Sequence, residues 1–187
     1  MRNKTDPSIE GYPYEILQKP QEMIDELQLQ SPAMQGLGAS LEQGVLTMME
    51  MGMDETHFGP NLTVTRAQAV TFLWRSQGCP EPTSLNNPFV DVPSTEYYYK
   101  PVLWAVENNI TKGTTDTTFD PEDTLTTAHI VTFLYRTKNP GMDGWNGEAA
   151  AWAADSNGKP FGVDIAVNNA TPCPRCNVVQ FLYKLSK

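Results

Sequence analysis

One phrase occurs three times in this chain of 187 residues. TVTRAQAVTFLWR, TLTTAHIVTFLYR and PCPRCNVVQFLYK share a register, with Phe72, Phe133 and Phe181 at one position in each. Internal repetition constrains a fold more than any composition, because a short unit that cannot bury its own apolar stripe must bury it against its copies. The most complete unit runs from Phe89 to Arg136.

Each unit reads as helix–loop–helix, so the expected fold is mainly α: a pseudo-threefold bundle of three such repeats, preceded by an N-terminal arm. The arm covers residues 1–36, is rich in Pro, Gly and Tyr, and holds one short helix from Gln21 to Leu29. The three-repeat domain covers residues 37–187, with repeats at about 37–80, 89–140 and 144–187.

In the first repeat Leu41, Val45, Met48 and Met49 follow helical spacing, and Gly52 is placed to end that helix. Thr65 and Gln68 form a capping-box pattern, which predicts that the second helix opens there and stops before Gly78 and Pro80. In the second repeat a helix is expected between Tyr97 and Asn109, with Pro101 tolerated only in its first turn. Gly113 allows a tight turn, Thr126 caps the next helix, and Asn139-Pro140-Gly141 ends it. The third repeat is the most worn. Residues 148–154 are strong helix formers, and Pro174 suits a helix start.

Charge narrows the function. With 13 basic and 22 acidic residues the net charge is −9, which opposes nucleic-acid binding and docking on an anionic membrane. The sequence has no apolar run long enough to span a bilayer. The polar start, broken by Pro7 and Pro13, lacks the apolar segment of a secretory signal. Cys173-x-x-Cys176 is half a zinc site or a redox pair at most; the plainer reading is two small residues around a helix start. His57 and His129 stand alone, and no nucleophile elbow, zinc-protease or phosphate-loop motif is present, so neither an enzyme nor a cofactor is expected.

FVDV, LWAVENNIT, KGTTDTTFDP and TRAQAVTFLWR together resemble the bacterial S-layer homology module, over about residues 37–187. The resemblance implies a pseudo-trimer with grooves between neighbouring repeats, where such modules bind anionic cell-wall polysaccharide and hold proteins on the envelope. It assigns the groove arginine to Arg66 and Arg175, with Thr127 at that position in the second repeat. It assigns the tryptophan to Trp104 and Trp152, the aspartate to Asp91 and the loop glycine to Gly113. An arginine fork at a helix start is suited to a carboxylate. The plainer reading of Arg66 and Arg175 is a solvated first-turn residue; that of both tryptophans is packing.

Two functions stay open at this point. One is a non-catalytic wall-binding module, located on the cell envelope if a signal sequence was removed. The other is a cytoplasmic protein-interaction module, a regulator, inhibitor or effector subunit that has kept the scaffold and changed its use.

Overall fold

The computed structural model describes residues 61–145 and 147–185. The N-terminal arm, its expected helix at Gln21–Leu29, the helix expected around Leu41–Met49 with its Gly52 cap, and His57 lie outside the described residues.

The described residues are mainly helical. The helices are α1 (Arg66–Ser76), α2 (Tyr99–Glu107), α3 (Thr127–Lys138), α4 (Glu148–Ala153) and α5 (Arg175–Leu185). The sequence signals act where they were read. Thr65 and Gln68 make both bonds of the capping box on α1. Thr126 caps α3, and His129 takes the part that Gln68 plays on α1. Pro101 falls in the first turn of α2, where its missing N–H costs no helical bond. None of these helices is long and apolar enough to cross a membrane.

The core is built on the segments leading into α1, α3 and α5. Val64, Leu125 and Cys173 are completely buried there. Their backbones form a closed cycle: Val64 N–H donates to Cys173 C=O (3.2 Å), Cys173 N–H to Leu125 C=O (3.0 Å), and Leu125 N–H to Val64 C=O (2.9 Å). A second cycle lies at the helix starts. Arg66 N–H donates to Asp123 C=O (2.9 Å), Thr127 N–H to Thr171 C=O (2.9 Å), and Arg175 N–H to Leu62 C=O (2.8 Å). Buried backbone groups must be paired, and first-turn N–H groups have no partner within their own helix. The two cycles meet both demands with isolated bridges and no longer ladder among these segments.

Phe72, Phe133 and Phe181 are buried as the repeated register requires. Among the described helices α2 packs on α1, and α4 packs on α3. Short returns of the chain cause this. Trp74 Nε1 donates to Pro80 C=O at 2.7 Å and holds the chain as it leaves α1.

Candidate functional site

The turn from Gly113 to Asp120 forms one wall of the site, and two of the expected residues build it. Gly113 has φ +82°, and a Cβ there would come within 2.5–2.6 Å of Phe89 Cε1, Thr118 O and Thr115 O. Only glycine fits such a position. The carboxylate of Asp91 accepts from Phe119 N–H (2.9 and 3.1 Å) and from Asp120 N–H (2.7 Å). Asp91 thus ties the start of the second repeat to the far side of the turn. Phe89 leans on Phe119 at 5.8 Å between ring centroids.

The turn presents Phe119 to Arg66. Arg66 Nε donates to Phe119 C=O at 2.7 Å, and the guanidinium lies 4.8 Å above the Phe119 ring and 5.9 Å from that of Phe133. The residue is only 7% exposed. Its Nη2 is buried and has no hydrogen-bond partner among the described residues. Burial lowers its pKa, while Asp120, Asp123 and Asp91 oppose the shift; an arginine so placed stays charged at neutral pH.

Arg66 borders a groove of about 360 Å³ between α1, α3 and the Gly113 turn. Lys112 and Arg136 also line it, with Thr111, Thr114, Thr132 and the rings of His129, Phe133 and Trp145; no described lining residue is a carboxylate. Arg136 is committed to structure. It donates to Ile110 C=O (3.0 Å), to Asp143 C=O (2.6 Å) and to Asp143 Oδ1 (2.9 Å). Lys112 is exposed and reaches Asp143 at 3.3 Å. The hydrogen bond from Lys112, then the charge of Arg136, holds the exposed Asp143 carboxyl below the usual range. The His129 and Trp145 rings stack in parallel, 5.7 Å apart with 10° between planes. Burial and the charge of Arg66 push the His129 pKa down.

The structure therefore brings Arg66 and Gly113 to one groove and places Asp91 behind its wall. Trp104 is 7% exposed and packs in the core. Trp152 is half-buried, edge-on to Tyr135 (5.5 Å) and Phe161 (5.3 Å). Neither lines this groove. The indole that does is Trp145, and its neighbour Gly144 signals the constraint: a Cβ at Gly144 would overlap the Tyr135 ring. Lys112, Arg136 and Trp145 are not among the residues the sequence pointed to; Lys112 stands beside the loop glycine, and Arg136 is the last residue of the repeated phrase.

Arg175 makes a separate and similar arrangement. It is 2% exposed, lies 5.1 Å over the Phe72 ring, and donates from Nη1 to Gln68 Oε1 at 3.4 Å. Burial brings its pKa down to about 10, with Tyr97 opposing the shift, so it too is cationic at neutral pH. At the same register on α3, Thr127 is buried and turns its hydroxyl to Thr171 C=O at 3.4 Å. Cys173 is part of the core, and burial pushes its thiol up to about 12.

The family model "S-layer homology domain" matches residues 88–128. A "Surface layer protein" of Brevibacillus choshinensis is 30% identical over 107 residues, and a "Middle cell wall protein" of Brevibacillus brevis is 29% identical over 107. Each alignment covers 54% of this chain and 10% of the relative, so the chain spans about a tenth of the length of the curated relatives it matches. The segment that carries Asp91, Gly113 and the Phe119 turn, residues 88–128, is an S-layer homology domain.

Proposed function

We propose that this chain is a non-catalytic module that attaches to the bacterial cell envelope by binding an anionic wall polysaccharide in the Arg66 groove. The observation that carries this reading is Arg66 itself. Its guanidinium lies over the Phe119 ring and near that of Phe133, and its Nη2 has no hydrogen-bond partner among the described residues; a fork held in this way supports anion binding. Lys112 adds an exposed charge at the rim. Three cationic side chains, Arg66, Lys112 and Arg136, lining one groove in a chain of net charge −9 support this reading. The relatives being named as surface-layer and cell-wall proteins supports the location.

In this reading Gly113 and Asp91 shape the groove from behind, Arg175 offers a second anion contact, and Trp104 and Trp152 serve packing. The two cyclic sets of backbone bonds support a pseudo-threefold arrangement of three repeats, with binding grooves at their junctions.

Co-sedimentation with Brevibacillus brevis cell walls tests the proposal. The protein is expected to pellet with intact walls and to remain in solution with walls stripped of their anionic polymer. Arg66→Gln, checked for folding by circular dichroism, is expected to lose most of the pelleting. Equal pelleting with stripped walls would overturn the reading.

A further inference from the structure

Among the described lining residues of the Arg66 groove, His129 is the one that can change its charge near neutral pH. Its part in capping α3 does not require that it titrate. The box on α1 is closed by Gln68, whose Oε1 accepts from Thr65 N–H at 3.2 Å. His129 stands at the same place on α3, and both hydrogen bonds of its ring use Nδ1: it accepts from Thr126 N–H at 3.4 Å and meets Thr126 Oγ1 at 3.0 Å. An acceptor at Nδ1 places the proton of the neutral ring on Nε2.

The ring is half-buried and fixed in place. Thr126 holds Nδ1, and the Trp145 indole lies parallel to the imidazole. The charges that share the groove with it have one sign: Arg66 from α1, Lys112 from the Gly113 turn and Arg136 from α3 itself. The carboxylates nearby are directed at those cations. Asp143 engages Lys112 and Arg136, and Asp120, Asp123 and Asp91 act on Arg66. In the free protein burial, and then the charge of Arg66, oppose a proton on His129.

An anion seated beside Arg66 reverses the second of these effects, because it offsets the guanidinium and adds an opposite charge. Two features let the ring take up a proton without leaving its place. Thr126 Oγ1 can accept from a protonated Nδ1 across the same 3.0 Å. The indole face favours a cation stacked on it. We propose that His129 couples this groove to protons: an anion beside Arg66 and a proton on His129 bind together, each tightening the hold on the other. The coupling rests on the anion-binding reading of the groove and adds its regulation by pH. Anion affinity rises as pH falls, from the point where the liganded ring begins to protonate, and levels off once the ring of the free protein is itself charged. An opposite charge within about 4–6 Å changes proton affinity by about ten- to thousandfold, and a half-buried ring lies at the low end, so a gain of about tenfold is expected.

Two measurements test the coupling. Proton NMR follows the imidazole of His129, identified by its absence in His129→Gln, a variant that keeps the capping box in the form Gln68 gives it. Without any ligand, Arg66→Gln is expected to move the midpoint of His129 up toward the ordinary value of about 6.5. An unmoved midpoint would show that the charge of Arg66 does not reach the ring, and would overturn the coupling. The second measurement is affinity for Brevibacillus brevis walls between about pH 8 and 5, with folding checked by circular dichroism at each pH. Titration of the walls themselves affects parent and His129→Gln alike, so the ratio of their affinities isolates His129. That ratio is expected to rise about tenfold in favour of the parent as pH falls. A constant ratio would overturn the coupling and leave wall binding standing. If the parent does not bind walls, or Arg66→Gln binds them like the parent, the wall-binding function falls and the coupling falls with it.

Discussion

Replacing Asp91 by alanine separates a bracing role from a ligand-contacting one. The side chain accepts three hydrogen bonds from two backbone donors, Phe119 N–H and Asp120 N–H, and reaches them from 28 and 29 residues earlier in the sequence. Alanine leaves both donors without their acceptor. Each orphaned donor costs about 1–3 kcal/mol when buried. The two N–H groups are part-buried, so water recovers some of this, and a total of about 2–4 kcal/mol follows. At roughly 2–4 °C per kcal/mol for a chain of this size, the melting temperature is expected to fall by about 5–15 °C. Asp91→Asn keeps one acceptor oxygen and is expected to fall between parent and alanine variant. Thermal unfolding followed by circular dichroism measures both. A ligand-contacting aspartate predicts the opposite pattern: weaker binding with an unmoved melting temperature. A shift under about 2 °C for the alanine variant would show that the turn does not depend on Asp91.

Gly113→Ala is expected to cost about 2–5 kcal/mol in urea unfolding, combining left-handed strain with overlap on Phe89 and two carbonyl oxygens. His129 carries a pH signature. Its folded pKa lies below its unfolded value, so its contribution to stability is present above about pH 6.5 and is lost as pH falls through the folded pKa. Protonated Nδ1 also cannot accept from Thr126 N–H. His129→Gln, which copies the Gln68 box of α1, is expected to flatten the stability profile between pH 7 and 5; an unchanged profile would assign that slope to other groups. Of the three thiols, native protein is expected to give one fast equivalent with a thiol reagent, from exposed Cys79, and the buried Cys173 only on unfolding.

What was legible in the sequence was local. Thr65 with Gln68, Thr126, and Pro101 are short-range signals, and each acts within one helical turn of where it is written. What was not legible needed the chain to return on itself. That α2 lies on α1 is decided by the path after Trp74. Asp91 read as a ligand contact because its hydrogen-bond donors sit far along the chain. Trp104 and Trp145 cannot be told apart by residue type; burial separates them, Trp104 at 7% exposed and Trp145 at 39%. Arg66 and Arg175 had been expected either on a ligand or in water. The structure buries both against phenylalanine rings, which a flat and weakly hydrated guanidinium tolerates where an ammonium would not.

The wear of the third repeat has a physical explanation in the same geometry. The cycles that join the three helix starts use backbone N–H and C=O groups, so side chains there are constrained by burial and little else. Val64, Leu125 and Cys173 differ in size and chemistry, and all fit a fully buried position. Proline at 174, where Thr65 and Thr126 stand, brings no N–H, and so the donor that Gln68 and His129 satisfy does not arise there. Asn177, at the position of Gln68 and His129, instead donates its own N–H to Pro174 C=O at 3.1 Å. At the position after Thr65, Thr126 and Pro174, the N–H of Arg66, Thr127 or Arg175 makes the same bond to a neighbouring segment with either side chain. The side chain at this position differs with the cleft beside it: arginine where Lys112 and Arg136 also line the groove, threonine beside a cleft with no charged lining residue among the described residues. A scaffold held by its backbone at these positions accepts arginine or threonine there without a change of fold.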